Sequence, residues 1–359
     1  MSDLQHNPST PYRQVPQELS QRLKNFETPH PVKIMEVCGT HTVAIHRMGV
    51  QRMLPHGVKL VSGPGCPVCV TPDSYIDEAV FLARQGYTIA TFGDMIRVPG
   101  TQSSLEKERA SGCDIKIIYS PLDALQYASD SQKNVVFLSV GFETTTPGIA
   151  ITVMQAKKQN ISNFSILTAN RVIPPAMTAL VRDDSNLNGF LLPGHVSTIL
   201  GRNGYQFLEE LHIPGVIAGF EPVDLVSSII QLLQMISDKR TIIENNYKRV
   251  VRDEGNPKSI ASIAQVFEEV DAEWRGIGVI PKSGLKLRPE YSALDVRNRI
   301  QIETPQREQI TACKCGDVLR GLIDPPQCPL FGKRCKPESP VGPCMVSSEG
   351  SCSAWYRYG

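Results

Sequence analysis

VKIMEVC at residues 32–38, HTVAIHRMGVQRML at 41–54, VKLVSG at 58–63, PDSYIDEAVFLARQ at 72–85 and YTIATFG at 87–93 decide the fold class. The first, third and fifth stretches are short apolar runs rich in Val and Ile, and they read as strands. The second and fourth are longer and mix apolar with polar residues, and they read as helices. Pro72 stands at the start of the second helix, where a missing N–H costs nothing. Strand and helix in alternation imply a parallel sheet covered by helices.

The pattern extends outward from there. DIKIIYS (114–120) reads as a strand with a helix from Pro121, and NVVFLSVG (134–141) as another strand. FSILTAN (164–170), NGFLLPG (188–194) and IPGVIAGF (213–220) repeat the scheme. Val37-Cys38-Gly39-Thr40-His41-Thr42 resembles Val140-Gly141-Phe142-Glu143-Thr144-Thr145, each a strand end entering a helix. Ser120-Pro121-Leu122-Asp123 resembles Glu221-Pro222-Val223-Asp224 at the fourth strand of each half. The order suggests an internal duplication. The expected architecture is two similar parallel-sheet α/β lobes facing a cleft, where strand-end loops bind ligands.

The expected divisions are an N-terminal extension (1–31), a first lobe (32–132), a second lobe (133–240) and a C-terminal domain (241–359). Within the last, a charged helical stretch reaches Trp274, and residues 278–295 read as irregular. The final piece is rich in Pro, Gly and Cys and poor in apolar residues, so a bound metal would supply what its core lacks.

Charge excludes some function classes. Lys plus Arg number 37 against 36 Asp plus Glu in 359 residues, which gives no reason to expect nucleic acid or an anionic membrane as partner. The opening MSDLQHNPSTPYRQVPQ is polar and proline-rich, unlike a signal peptide. No apolar run approaches the ~18 residues of a spanning helix. A cytoplasmic location is the expectation, and there the ten cysteines should stay reduced.

Those cysteines fall into two groups. Cys38, Cys66 and Cys69 lie near the front and Cys113 stands alone; Cys313, Cys315, Cys328, Cys335, Cys344 and Cys352 crowd the end. Cys66-Pro67-Val68-Cys69, framed by Gly63, Pro64 and Gly65, is a Cys-x-x-Cys in a turn after a strand. It suits metal binding or dithiol–disulfide exchange, and the following helix start should favour thiolate. Simple packing in a tight turn is the plainer alternative. Cys38 ends the first strand, and neighbouring strand ends would bring it to Cys66 and Cys69, again beside a helix start. Three thiols suit an open metal site, or a redox pair with a third nucleophile. His41 is either a helix-start residue or a group that orders a metal ligand. Glu143 and His195 sit where apolar strands end and could relay protons or order a ligand, unless Thr and Ser there merely cap helices. Cys113 reads as structural.

At the C-terminus, Cys313, Cys328, Cys335 and Cys352 place four thiols on irregular backbone, as a [4Fe–4S] cluster requires. Four cysteines also make a structural zinc site, and the wide spacings lean towards the cluster. Cys315 and Cys344 are spare.

Taken together, CGTHT (38–42), GPGCPVCVT (63–71), GFETT (141–145), PGHVS (193–197) and CGDVLRG…CPLFGKRC…GPCMVSSEGSC (315–352) resemble the HypD family of hydrogenase maturation factors over nearly the whole chain. The resemblance implies a scaffold and redox component for assembling the Fe(CN)2CO moiety of [NiFe] hydrogenases. It implies work with a HypC-type chaperone, cyanide received from a HypE-type carrier charged by a HypF-type carbamoyltransferase, and service to the hydrogenase large subunit indirectly. The family's assembly site falls on Cys38, Cys66 and Cys69. Its [4Fe–4S] ligands fall on Cys313, Cys328, Cys335 and Cys352. A thiol–disulfide oxidoreductase is the alternative that the residues leave open, and a zinc-stapled binding module a further one.

Overall fold

The computed structural model describes residues 15–183, 186–305 and 312–359. Nine strands form two parallel sheets. β1 (Val32–Glu36), β2 (Val58–Ser62), β7 (Gly189–Pro193), β8 (Gly215–Ala218) and β9 (Ile243–Asn245) make one, in the order β2-β1-β7-β8-β9. β3 (Thr88–Phe92), β4 (Ile115–Ile118), β5 (Val135–Ser139) and β6 (Phe164–Thr168) make the other, in the order β4-β3-β5-β6. Strands buried on both faces are apolar throughout: every residue of β5, β7 and β8 is buried.

The lobes therefore do not divide at residue 132 as chain order suggests. Each half of the chain gives its first two strands to one sheet and its next two to the other. β1 and β2 join β7 and β8, while β5 and β6 join β3 and β4. The halves correspond in order all the same: in each sheet a first–second pair meets a third–fourth pair through β1–β7 or β5–β3. Helices Pro121–Asp130 and Pro222–Ser237 both open with proline and a reciprocal cap, Ser120 with Asp123 and Glu221 with Asp224. Parallel strands choose neighbours through crossovers whose packing the local pattern does not encode.

Two further divisions differ from expectation. Residues 1–14 of the expected extension lie outside the described residues. The rest of it carries helix Gln17–Lys24, whose Leu23 is fully buried in the core shared with helix Pro222–Ser237. Helix Pro257–Val266 stops before Trp274: Phe267–Trp274 is β10, paired antiparallel with β11 (Gly278–Leu287), a segment expected to be irregular. Ala272 and Trp274 are buried two residues apart, the period of a half-buried strand, and a register shift between Val270 and Ala272 brings Phe267 to the buried side as well. The Trp274 indole donates to Ser283 Oγ at 2.7 Å, and Leu285 N–H donates to Asn170 O, tying the hairpin to the β3–β6 lobe. With β9 in the first sheet, only the segment from 312 onward forms the small irregular region. Its last helix, Ser351–Tyr358, packs on helix Gly39–Arg47, where Trp355 meets His46 at 4.7 Å between ring centres.

Candidate metal and redox site

The strand pairing brings the front cysteines together. β1 and β2 lie side by side in parallel, so Glu36 is opposite Ser62 and the loops beyond them emerge at the same edge. Gly65 then lies against Cys38: a Cβ there would sit 2.2 Å from Cys38 N and 2.5 Å from its Cα. Only glycine permits that approach. Gly39 N–H donates to Gly65 O at 3.0 Å and fixes the contact. A buried carboxylate anchors the same corner, since Glu36 accepts from Cys38 N–H at 2.9 Å and from the Thr42 hydroxyl at 2.5 Å.

Cys38, Cys66 and Cys69 are all buried. Cys69 N–H donates to Cys66 Sγ at 3.4 Å, which makes the two thiols neighbours. Cys38 and Cys69 lack the expected thiolate character. Burial pushes the Cys38 thiol up to about 12, although the N–H groups of His41 and Thr40 reach its sulfur. Burial likewise holds Cys69 well above the ordinary thiol range. Helix Pro67–Val70 has only four residues, too few to build a useful dipole, and desolvation of the charged form wins.

The structure also gives work to the two cysteines that sequence spacing left spare. Cys69 neighbours Cys344, Cys344 neighbours Cys315 and Cys315 neighbours Cys313. Thiols thus follow one another from the Cys-x-x-Cys turn into the C-terminal region. There Cys313, Cys328, Cys335 and Cys352 line one small cavity together with Cys315 and Cys344. The donor set is sulfur, the backbone is irregular, and the sulfurs accept backbone N–H bonds, Val341 to Cys335 at 3.4 Å for one. Those features fit a thiolate-bound cluster. Among the described residues no three His, Cys, Asp or Glu groups stand ready to hold a single ion, so closing any of these thiols on one metal requires side-chain rotation.

The cleft beside the front cysteines measures about 310 Å³. Cys66 and Val68 after β2, Phe92 and Asp94 after β3, Tyr119 after β4 and Thr145 after β5 line it, all at strand carboxyl ends. The C-terminal segment closes one wall. Glu349 accepts from the Thr40 hydroxyl at 2.7 Å, and Ser347 donates to Asp94 at 3.1 Å. Neither Glu349 nor Glu36 was a candidate from sequence, because a lone acidic residue carries no spacing signal.

The remaining candidates separate. His41 is buried, with Nε2 against Gly219 O at 3.1 Å; burial lowers its pKa to about 4. His195 is exposed, and Phe220 lies between the two rings, 4.7 Å from His41 and 4.0 Å from His195. Glu143 lines a different, apolar cavity rather than the cysteine cleft. Ser197 is no cap; its hydroxyl donates back to Pro193 O at 2.7 Å. Among the described residues no helix is long and apolar enough to cross a membrane.

Known proteins share this sequence along its length. The Hydrogenase formation hypA family, HypD, matches residues 13–359. The hydrogenase maturation factor HypD of Escherichia coli K12 is 43% identical over 339 residues, covering 93% of this chain and 91% of that protein. The factor of the same name from Rhodobacter capsulatus is 44% identical, covering 92% and 90%. A hydrogenase expression/formation protein of Methanocaldococcus jannaschii is 42% identical, covering 91% and 92%. With Cys66 in its cleft, Cys38 packed beside that turn and a cysteine-rich end, the chain belongs to the HypD family of hydrogenase maturation factors.

Proposed function

We propose that this chain holds one iron at Cys38, Cys66 and Cys69 while cyanide and CO are attached to it, and hands on an Fe(CN)2CO unit. The observation that carries the reading is the Gly65 contact, which seats Cys38 against the Cys-x-x-Cys turn at the mouth of a cleft. Iron is the substrate here, and soft thiolates suit it in a low oxidation state. Each thiol surrenders its proton as it takes the metal. His195, exposed and stacked on Phe220, can exchange such a proton with solvent. Glu36 keeps the Cys38 backbone in place. A HypC-type chaperone would complete the coordination from the open side, a HypE-type carrier charged by a HypF-type carbamoyltransferase would deliver cyanide, and the hydrogenase large subunit would receive the product.

Cys313, Cys328, Cys335 and Cys352 are the residues that would hold a [4Fe–4S] cluster, which supplies reversible one-electron storage. Closing Cys66 and Cys69 into a disulfide would release two protons and two electrons, which a one-electron cluster could take only singly, passing each to an external one-electron acceptor before the next. Cys69, Cys344, Cys315 and Cys313, neighbours in that order, would be the chain's own groups along the way. The same neighbours favour a second reading, a thiol–disulfide oxidoreductase.

Infrared spectroscopy of the chain copurified with the HypC-type chaperone separates the two. A scaffold shows cyanide and CO bands; an oxidoreductase shows neither. Cys38→Ser should fold, keep its acid-labile sulfide and still bind the chaperone, yet lose those bands and hydrogenase maturation. Cys328→Ala should instead lose the sulfide. Normal maturation in a Cys38→Ser strain would overturn the assembly site.

A further inference from the structure

The cysteine cleft is not the largest hollow in the molecule. A cavity of about 700 Å³ lies between helices Ile173–Arg182, Gly194–Leu200, Gln206–Glu210 and Pro257–Val266 and the β10–β11 hairpin. That volume falls within the range of small-molecule sites, roughly 300–1,000 Å³. Its walls are mostly aliphatic and aromatic, with Leu200, Phe207, Ile263, Phe267 and Leu285 among them. Helix Pro257–Val266 turns Ile260, Ile263 and Ala264 towards it, a three- and four-residue spacing that puts them on one face.

Thr178, Glu268, Glu269 and Arg288 line the cavity at less buried positions, and Glu143 is the one buried polar residue among the lining. Glu143 is 3% exposed and lines the cavity. Its Oε1 accepts from Ile173 N–H at 2.8 Å, while Oε2 has no partner. A buried acceptor left unpaired is costly, and a site built to bind a donor is where such a group persists. Burial also raises the Glu143 carboxyl to about 7. Arg288 donates from Nε to Ala264 O at 2.7 Å, and Glu268 pairs with Lys286 at 3.0 Å. Three carboxyl groups, Glu143, Glu268 and Glu269, stand against the one arginine, so the lining disfavours an anion.

We propose that this cavity is a binding site, separate from the cysteine cleft, for a small neutral molecule with an apolar body and one N–H or O–H donor, which Glu143 Oε2, itself covered, meets by a turn of its carboxyl. Such a ligand would touch helices that follow strands of both sheets, Ile173–Arg182 after β6 and Gly194–Leu200 after β7. Nothing in the site depends on iron or on the thiols.

The test uses indole and its isostere benzothiophene, which lacks the N–H, titrated into the full chain by ligand-observed NMR. Indole should bind about fivefold more tightly, the effect of one hydrogen bond of about 1 kcal/mol. Glu143→Leu should erase that preference while keeping the affinity for benzothiophene. Should that variant not fold, Ala264→Phe supplies the second arm: it leaves Glu143 in place, fills the cavity from the exposed helix and should abolish binding of both probes. Equal affinity for the two probes, binding of neither, or binding that survives Ala264→Phe would overturn the proposal.

Discussion

Gly65→Ala tests the contact on which the assembly site rests. The new methyl would stand 2.2 Å from Cys38 N and 2.5 Å from Cys38 Cα. Both neighbours are backbone atoms in a strand-end loop pinned by Glu36, so no side chain can swing aside. The loops must part, and the Gly39 N–H to Gly65 O bond at 3.0 Å goes with them. Overpacking costs about 1–3 kcal/mol and the lost bond about 1 kcal/mol, for a total of roughly 2–4 kcal/mol. Urea unfolding should show a lower midpoint with unchanged slope. Cross-linking of Cys38 to Cys66 by a short dithiol-reactive reagent should slow markedly, because the perturbation falls between them. Gly148→Ala is the control: a Cβ there meets nothing within 4 Å, in the helix Thr146–Lys158. It should stabilise by about 0.5–1 kcal/mol through helix propensity. A Gly65→Ala protein with wild-type midpoint and cross-linking rate would show that the two loops do not meet as described.

The remaining predictions concern charge and packing. His41 is buried neutral with its pKa depressed to about 4 from an unperturbed 6.5. The unfolded chain therefore binds the extra proton first. The stability that this group gives is full above pH 6.5 and falls as pH drops towards 4, by about 3 kcal/mol in all. Urea midpoints measured across that window should slope downward on acidification, and His41→Gln should flatten part of the slope; a slope identical in the variant would contradict this. Trp274→Phe removes the donor to Ser283 and should cost about 1–3 kcal/mol, seen as a lower thermal midpoint with the hairpin still formed. Unchanged stability there would show that the indole bond does not hold the hairpin.

Most element types, and the family, were legible in the residues alone. Alternating Val/Ile runs and amphipathic stretches set the parallel α/β class, since burial on both faces needs continuous apolar strands. The matched order of CGTHT with GFETT, and of Ser120-Pro121 with Glu221-Pro222, was legible as well. Where prediction failed, the deciding forces were not local. Which strands become neighbours is set by crossover packing, so the exchange of strand pairs between halves was invisible, and with it the true extent of each lobe. A charged helical pattern up to Trp274 concealed a hairpin whose alternation is enforced by docking on the β3–β6 lobe. Cys38 near Cys66 followed from strand order, but the protonation of its thiol did not, because helix-start logic omits the desolvation that only the closed fold imposes. Cys315 and Cys344 looked spare since a thiol's partners depend on where distant segments fold back. Glu143, alike in sequence to the other strand-end groups, faces a separate cavity while Thr145, two residues on, lines the cysteine cleft, and which side each takes depends on how the turn after β5 packs. Chemistry-bearing residues can be listed from a one-dimensional pattern; which of them share a site, and at what protonation state, is fixed by burial and by contacts between residues far apart in the chain.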